Sequence, residues 1–283
     1  MQIEDAKRTA KRSIIILSLA LAGCHGPVAP ASPTPDVVSI KIYADSAASP
    51  LLRDLANAYR PSHTLIAWDI EMSESSALLD LLKTSKVPYA LTAYLPPDLS
   101  GSTPNVPLWA TPIGQTGIAI VVHPSNAVAN LTAAQLRSIL QGRIANWQML
   151  GGADLPLTVI ARDEGSSTAS IIQTIVLGDR LTTRAAWLAL TDEAVIALVS
   201  ATPGAIGYVS VGFLNDNVKV VPVDGILPTP ATLTANQYPI RSPLLFVGMT
   251  EPGDDAYRAF FSWVQSPDGQ AIVRRHYGAL LNQ

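Results

Sequence analysis

The chain of 283 residues has one cysteine, four histidines and few charges, 14% of its residues. A single thiol excludes an internal disulfide and any multi-cysteine metal cluster. His63, His123 and His276 have no His or Cys partner four residues away, and no metal or cofactor is expected. The formal net charge is −3, without a long run of Lys or Arg, so there is no electrostatic footprint for gripping a nucleic-acid backbone. HExxH, GxxxxGK[ST], GxGxxG and GxSxG are all missing, which removes the common metalloprotease, nucleotide-binding and α/β-hydrolase signatures. What the chain has is apolar substance, 48% hydrophobic residues against 18 Gly and 22 Pro. That composition buries a core rather than remaining disordered or fibrous, and the length suits about two domains.

The N-terminus reads as an address. Lys7, Arg8, Lys11 and Arg12 precede an apolar run from Ile14 to Ala22 broken only by Ser18, the layout of a secretory leader. The run is shorter than the ~20 residues that a membrane-spanning helix needs. It ends in Leu21-Ala22-Gly23-Cys24, which resembles the bacterial lipobox, where the cysteine is acylated and becomes the new N-terminus. Residues 1–23 are therefore expected to be a lipoprotein signal peptide, and Cys24 the lipidated residue. Residues 24–36, with four prolines, are expected to be an extended tether. Acyl chains would supply the anchoring at ~0.8 kcal/mol per buried methylene, giving an extracytoplasmic, membrane-anchored protein.

From Val37 onward, short β-like runs alternate with helical ones. Strands are predicted at 37–43, 65–70, 118–122, 157–161, 206–209, 218–223 and 244–248. Helices are predicted at 50–59, 168–177, 191–199, 256–264 and 270–277, and after Thr132. Pro50 suits a first helical turn. Leu131-Thr132-Ala-Ala-Gln135 reads as a capping box with a hydrophobic staple from Leu131 to Leu136, and Gly142 as the stop. Strands alternating with helices predict an α/β protein with largely parallel sheets. Trp147, Trp187, Trp263, Tyr208 and Phe260 lie in apolar patterns and are expected in the core.

The chemistry concentrates at Val159-Ile160-Ala161-Arg162-Asp163-Glu164-Gly165-Ser166-Ser167-Thr168, ahead of an apolar-faced helix. A strand that delivers an arginine, then a small-residue loop, then a helix N-terminus presents a guanidinium fork, free amides, hydroxyls and the positive helix end to one point. The arrangement suits an oxyanion; the bland alternative is a Ser/Thr helix cap beside a surface arginine.

Longer segments resemble the phosphate-type periplasmic binding proteins, the substrate-binding components of ABC importers. Arg162 to Thr168 matches that family's R-x-x-G-S-G-T loop with Ser167 at the second glycine. Leu131 to Trp147 matches L-T-x-x-Q-L-x-x-I-F-x-G-x-I-x-N-W, Pro203 to Val209 matches P-G-x-I-G-Y-V, and Tyr238 to Leu244 is similar to Y-P-I-x-R-P-L. The resemblance implies a two-lobed periplasmic-binding-protein type II fold, each lobe a mainly parallel sheet flanked by helices. Lobe 1 would comprise residues 37–113 plus 240–283 and lobe 2 residues 114–239, with hinge crossovers near 112–116 and 237–241. It further implies a monomer that captures phosphate or another tetrahedral oxyanion for an ABC permease. Ser46 and Ala47, Ser75, and Arg162, Ser166, Ser167 and Thr168 would hold the ion from three helix N-termini.

Two departures matter. Family members hold protonated phosphate with an aspartate, and the matching position here is Ala93, so no carboxylate is expected there. Asp45 and Glu74 place negative charge near an anion, which repels it unless they point away. A second reading therefore stays open: a degenerate homologue acting as a membrane-tethered sensor or partner-binding protein without an import role. An enzyme is not expected, because no histidine lies near Ser166 or Ser167 in sequence and no hydrolase motif frames them.

Overall fold

The alternation of strand and helix seen in the sequence becomes an α/β architecture in the computed structural model, which describes residues 36–61, 64–72, 75–84, 86–96, 108–253 and 255–281. The expected leader and tether, with Cys24, lie outside the described residues, as do His63 and Glu74.

β1 (Asp36–Ala44) buries Ile40 and Ile42, and α1 (Ser49–Ala58) follows with Pro50 in its first turn and Leu51, Leu52 and Leu55 on its buried face. Then come β2 (Thr64–Met72), α2 (Leu78–Lys83), β3 (Tyr89–Thr92) and the 14-residue β4 (Trp109–Val122). α3 (Ala133–Leu140) has its full capping box: the Gln135 amide donates to Thr132 Oγ1 at 3.1 Å, and the Thr132 amide to Gln135 Oε1 at 2.8 Å. Gly142 ends that helix with φ +75°, a conformation that favours glycine.

β5 (Thr158–Arg162) leads into α4 (Ser167–Ile172), which widens into a π turn over Gln173–Leu177. The predicted single helix to Leu177 thus changes pitch. The Gly178 amide reaches back five residues to the Gln173 carbonyl at 2.7 Å, while Gln173 Nε2 holds the carbonyls of Gly178 and Arg180. The chain continues through β6 (Trp187–Ala189), α5 (Asp192–Ala201), β7 (Ala205–Ser210), β8 (Lys219–Val221), α6 (Pro230–Thr234) and β9 (Arg241–Gly248). It closes with α7 (Ala256–Gln265), α8 (Pro267–Val273) and β10 (Gly278–Ala279).

The strands pair in the order β2-β1-β3-β9-β4-β7-β5-β6, with β8 and β10 also on β4. The outer groups are parallel, β2-β1-β3 at one end and β7-β5-β6 at the other. β9 and β4 run antiparallel between them. β4 connects the two groups by changing partner: Trp109 to Gly117 pair with β9, and Ile118 to Val122 pair with β7 and β8. The 112–116 segment, expected to be a crossover, lies within β4, with a register shift between Pro112 and Gly114. Its β character shows only through pairing with β9, which local sequence does not specify.

The sequence motifs that stand far apart are joined by packing. Trp147, 1% exposed, donates its indole Nε1 to the Gly204 carbonyl at 2.9 Å. A Cβ at Gly204 would lie 2.2 Å from the Pro156 carbonyl oxygen, so this position admits only glycine without backbone displacement. Elsewhere, Phe260 meets Tyr59, Trp68 and Phe246 edge to face with centroids 4.9 to 5.9 Å apart, a geometry favoured by the ring quadrupoles. Trp147, Tyr208 and Phe260 are buried and Trp263 is partly buried against the core, as expected. Trp187 is not: it is 49% exposed, because β6 is the terminal strand, paired on one side only.

Candidate functional site

The carboxyl ends of parallel strands are where α/β sheets bind ligands, and here β1, β3, β5 and β7 bring the chain's polar residues to such ends. β1 runs into Asp45, Ser46 and Ala47; β3 ends at Thr92 and is followed by Ala93; β5 ends at Arg162; β7 ends at Ser210. Asp45, Ser75, Thr92, Arg162, Ser166, Ser167, Thr168, Asp192 and Ser210 are all at most 3% exposed. So dense a buried polar group requires mutual hydrogen bonding.

The Ser46 and Ser167 segments meet directly. Ser46 Oγ lies 3.1 Å from Ser167 Oγ, and the Ala47 amide donates to Ser167 Oγ at 3.0 Å. Ser210 adds a parallel link, donating its hydroxyl to the Ala47 carbonyl at 2.8 Å and sharing a 3.1 Å contact with Thr116 Oγ1. Three of the sequence-predicted residues, Ser46, Ala47 and Ser167, are thus in contact across 120 positions of chain.

Arg162 enters from β5 with its side chain 1% exposed. Its guanidinium hydrogen-bonds the Asp192 carboxylate, and Asp163 lies 3.3 Å from its second terminal nitrogen. Nε is buried with no hydrogen-bond partner among the described residues. Asp192 also accepts from the Ser210 amide at 2.8 Å and from the Thr168 hydroxyl at 3.3 Å. Burial pushes the Asp192 carboxyl up to about 6, although Arg162, the Ser210 amide and Thr168 pull it down. Burial likewise pushes Tyr208, whose hydroxyl accepts from the Arg162 amide at 3.1 Å, up to about 12.

Asp45 corrects one expectation about charge. The Ala93 position has no carboxylate of its own, yet Asp45 supplies one there: Oδ2 accepts from the Ala93 amide at 2.7 Å and from the Thr92 hydroxyl at 2.6 Å. Oδ1 accepts from the Ala48 amide at 2.9 Å, and Ser75 Oγ donates to Oδ2 at 3.5 Å. Burial raises the Asp45 carboxyl, opposed by Thr92 and by the amides of Ala93 and Ala48. Ser75 therefore joins the site through Asp45, while the Ser166 hydroxyl caps α4, accepting from the Ala169 amide at 3.1 Å.

Asp192, Ser210, Thr92 and Thr116 are site residues that the sequence reading did not single out. Asp192 sits in the first turn of α5 after Thr191, whose hydroxyl caps the Ala194 amide at 3.1 Å, so locally it looks like an acid placed for the helix dipole. A hint lay in its position shortly before the Pro203 to Val209 motif. A space of ≈210 Å³ beside the junction is lined by Ser46, Met72, Arg162, Asp192 and Phe213 among others. Among the described residues there is no cluster of three or more His, Cys, Asp or Glu able to hold a metal, and no helix long and apolar enough to cross a membrane.

A paired junction of helix N-termini and one buried arginine lies at the strand ends of two sheet regions, within an architecture of the periplasmic-binding-protein fold. Residues 29–268 match the family model described as the PBP superfamily domain, and the chain belongs to that superfamily. Among its relatives is the phosphate-binding protein PstS of Borreliella burgdorferi, 28% identical over 167 residues, 55% of this chain and 60% of that one. The chain thus spans less than two thirds of that relative's length. A substrate-binding protein of the phosphate ABC transporter class from Clostridium perfringens, solved with bound phosphate, is similar at a TM-score of 0.78 and 27% identity, with 87% of this chain and 100% of that one covered. An ABC-type phosphate transport receptor from Vibrio cholerae gives 0.69 and 25%, with 86% and 100% covered.

Proposed function

We propose that this chain is an extracytoplasmic solute-binding protein that captures phosphate, or a similar small tetrahedral oxyanion, and delivers it to an ABC permease. The observation that carries the reading is the convergence of Ser46, the Ala47 amide, Ser167 and Arg162 at the strand ends. In this reading residues 37–113 plus 240–283 form one lobe and 114–239 the other. The anion enters between them, takes the place of the Ser46–Ser167 contact, and receives hydrogen bonds from both hydroxyls, the Ala47 amide and the Arg162 guanidinium. Thr168 and Ser166 complete the α4 N-terminus, whose dipole favours negative charge. Asp45 stands where an acceptor for a protonated oxyanion is needed. No bond is made or broken, so no nucleophile or base is required.

The protein acts as a monomer, and acyl chains on Cys24 hold it at the membrane through the 24–36 tether. Mass spectrometry of the N-terminal peptide from membranes is expected to find it acylated, and Cys24→Ser to release the protein; an unmodified, membrane-bound Cys24 would refute the anchor.

Calorimetry tests the ligand. Micromolar phosphate binding corresponds to about −8 kcal/mol, and Arg162→Ala is expected to weaken it by about 2 to 5 kcal/mol because the closed site loses its cation. Unchanged affinity would reject the assignment of Arg162. One observation favours the second reading, a sensor or partner-binding protein without an import role: Asp192 and Asp45 already occupy Arg162 and the Ser75, Thr92 and Ala93 donors. Absence of stabilisation by phosphate, sulfate, molybdate or vanadate selects it.

A further inference from the structure

Beside Arg162 the fold leaves a space that a bare tetrahedral ion does not fill. A cavity of ≈530 Å³ lies against β5, α4 and its π turn, the 181–188 segment and Tyr94. That volume falls in the range of about 300 to 1000 Å³ that holds organic ligands. Arg162 lines this cavity and also the ≈210 Å³ space beside Ser46, so the same side chain borders both. Its buried Nε lacks a partner among the described residues, a condition that native structures rarely leave unexplained.

The walls are apolar where a substituent would lie. Ile172, Leu177, Leu181 and Leu188 line the cavity, and Leu181 and Leu188 are 75% and 70% exposed, apolar surface of the kind that marks ligand grooves. The π turn sets Gln173 and Leu177 into the same wall, and such turns are frequent at functional sites. Charge points the same way. Asp192 and Asp163 already pair with Arg162, so charge attracts a bare and a substituted oxyanion alike and weakly, and apolar contact adds affinity to the substituted one alone.

We propose that the site takes a phosphonate or phosphate monoester with an apolar substituent, its oxyanion at Arg162 and its substituent in the cavity. This rests on the oxyanion reading above and narrows its ligand from the bare ion to the substituted one.

Calorimetry on the full chain with inorganic phosphate, methylphosphonate and phenylphosphonate tests it, alongside the cavity-wall variants Ala186→Phe and Leu181→Ser. Phenylphosphonate is expected to bind about tenfold tighter than phosphate, and Ala186→Phe to remove that advantage while changing phosphate affinity less than about twofold. Leu181→Ser, at an exposed position that does not endanger folding, is expected to weaken phenylphosphonate alone by about threefold. Phosphate binding with no gain from the aryl group, or variants that weaken both ligands equally, would overturn this inference and leave the oxyanion reading standing. Binding of none of the three ions would overturn both.

Discussion

Replacing Asp192 with asparagine should remove a loss of stability that the protein otherwise suffers as pH rises from 4 to 8. Asparagine does not ionise; its carbonyl can still accept from the Ser210 amide, which lies 2.8 Å from Asp192 Oδ1, while its amide nitrogen meets the Arg162 guanidinium donor to donor, a cost that does not change with pH. Burial raises the Asp192 carboxyl from 3.8 to about 6 in spite of Arg162; desolvation outweighs the attraction, as occurs in buried pairs. Since the folded state holds this proton more tightly than the unfolded chain, the group's stabilising contribution is fully present below about pH 4 and is lost as pH rises through about 6. A difference of about 2 pH units corresponds to roughly 3 kcal/mol. Between pH 4 and pH 8 the stability of Asp192→Asn should therefore gain about 2 to 3 kcal/mol on that of wild type. Asp45 shifts in the same direction but is present in both proteins and cancels in their difference. Urea unfolding of the two proteins from pH 4 to pH 8 measures the gap. A gap that does not move in the variant's favour between pH 4 and pH 7 would show that the Asp192 carboxyl is not raised by burial.

Two further outcomes follow from the same geometry. Asp45→Asn removes the negative charge and turns one of the two accepting oxygens into a donor, and should lower phosphate affinity about tenfold or more while allowing sulfate, which carries no proton at neutral pH, to bind; a phosphate-to-sulfate ratio unchanged in calorimetry would contradict this. Gly204→Ala sets a Cβ 2.2 Å from the Pro156 carbonyl and should destabilise by about 2 to 4 kcal/mol through forced backbone displacement, read as a lowered urea midpoint.

The parts of the fold that were legible in the sequence are those whose signals are local. The α3 capping box, the Gly142 stop, Pro50 in the first turn of α1 and the alternation in β1 each involve residues within one turn or one strand. β3, β6 and the first half of β4 were not legible. Tyr89–Thr92 and Trp187–Ala189 are too short to show a period, and Thr111-Pro-Ile-Gly114 becomes strand only by pairing with β9. The site divides in the same way. Arg162 and the Ser166 to Thr168 turn could be read because strand, loop and helix N-terminus are contiguous. Asp192 could not, because its role depends on Arg162, 30 positions away. Asp45 was visible as a charge near an anion site, but its attachment to Thr92 and Ala93 depends on β1 and β3 being adjacent.

An oxyanion bound between the segment after β1 and the N-terminus of α4 should be visible in a crystal structure grown at near-neutral pH with millimolar phosphate. Tetrahedral density is expected in contact with Ser46, the Ala47 amide, Ser167 and Arg162, with the Ser46–Ser167 hydrogen bond opened to admit it. Saturating phosphate that leaves Ser46 and Ser167 in contact, with Arg162 touching only Asp192 and Asp163, would contradict it.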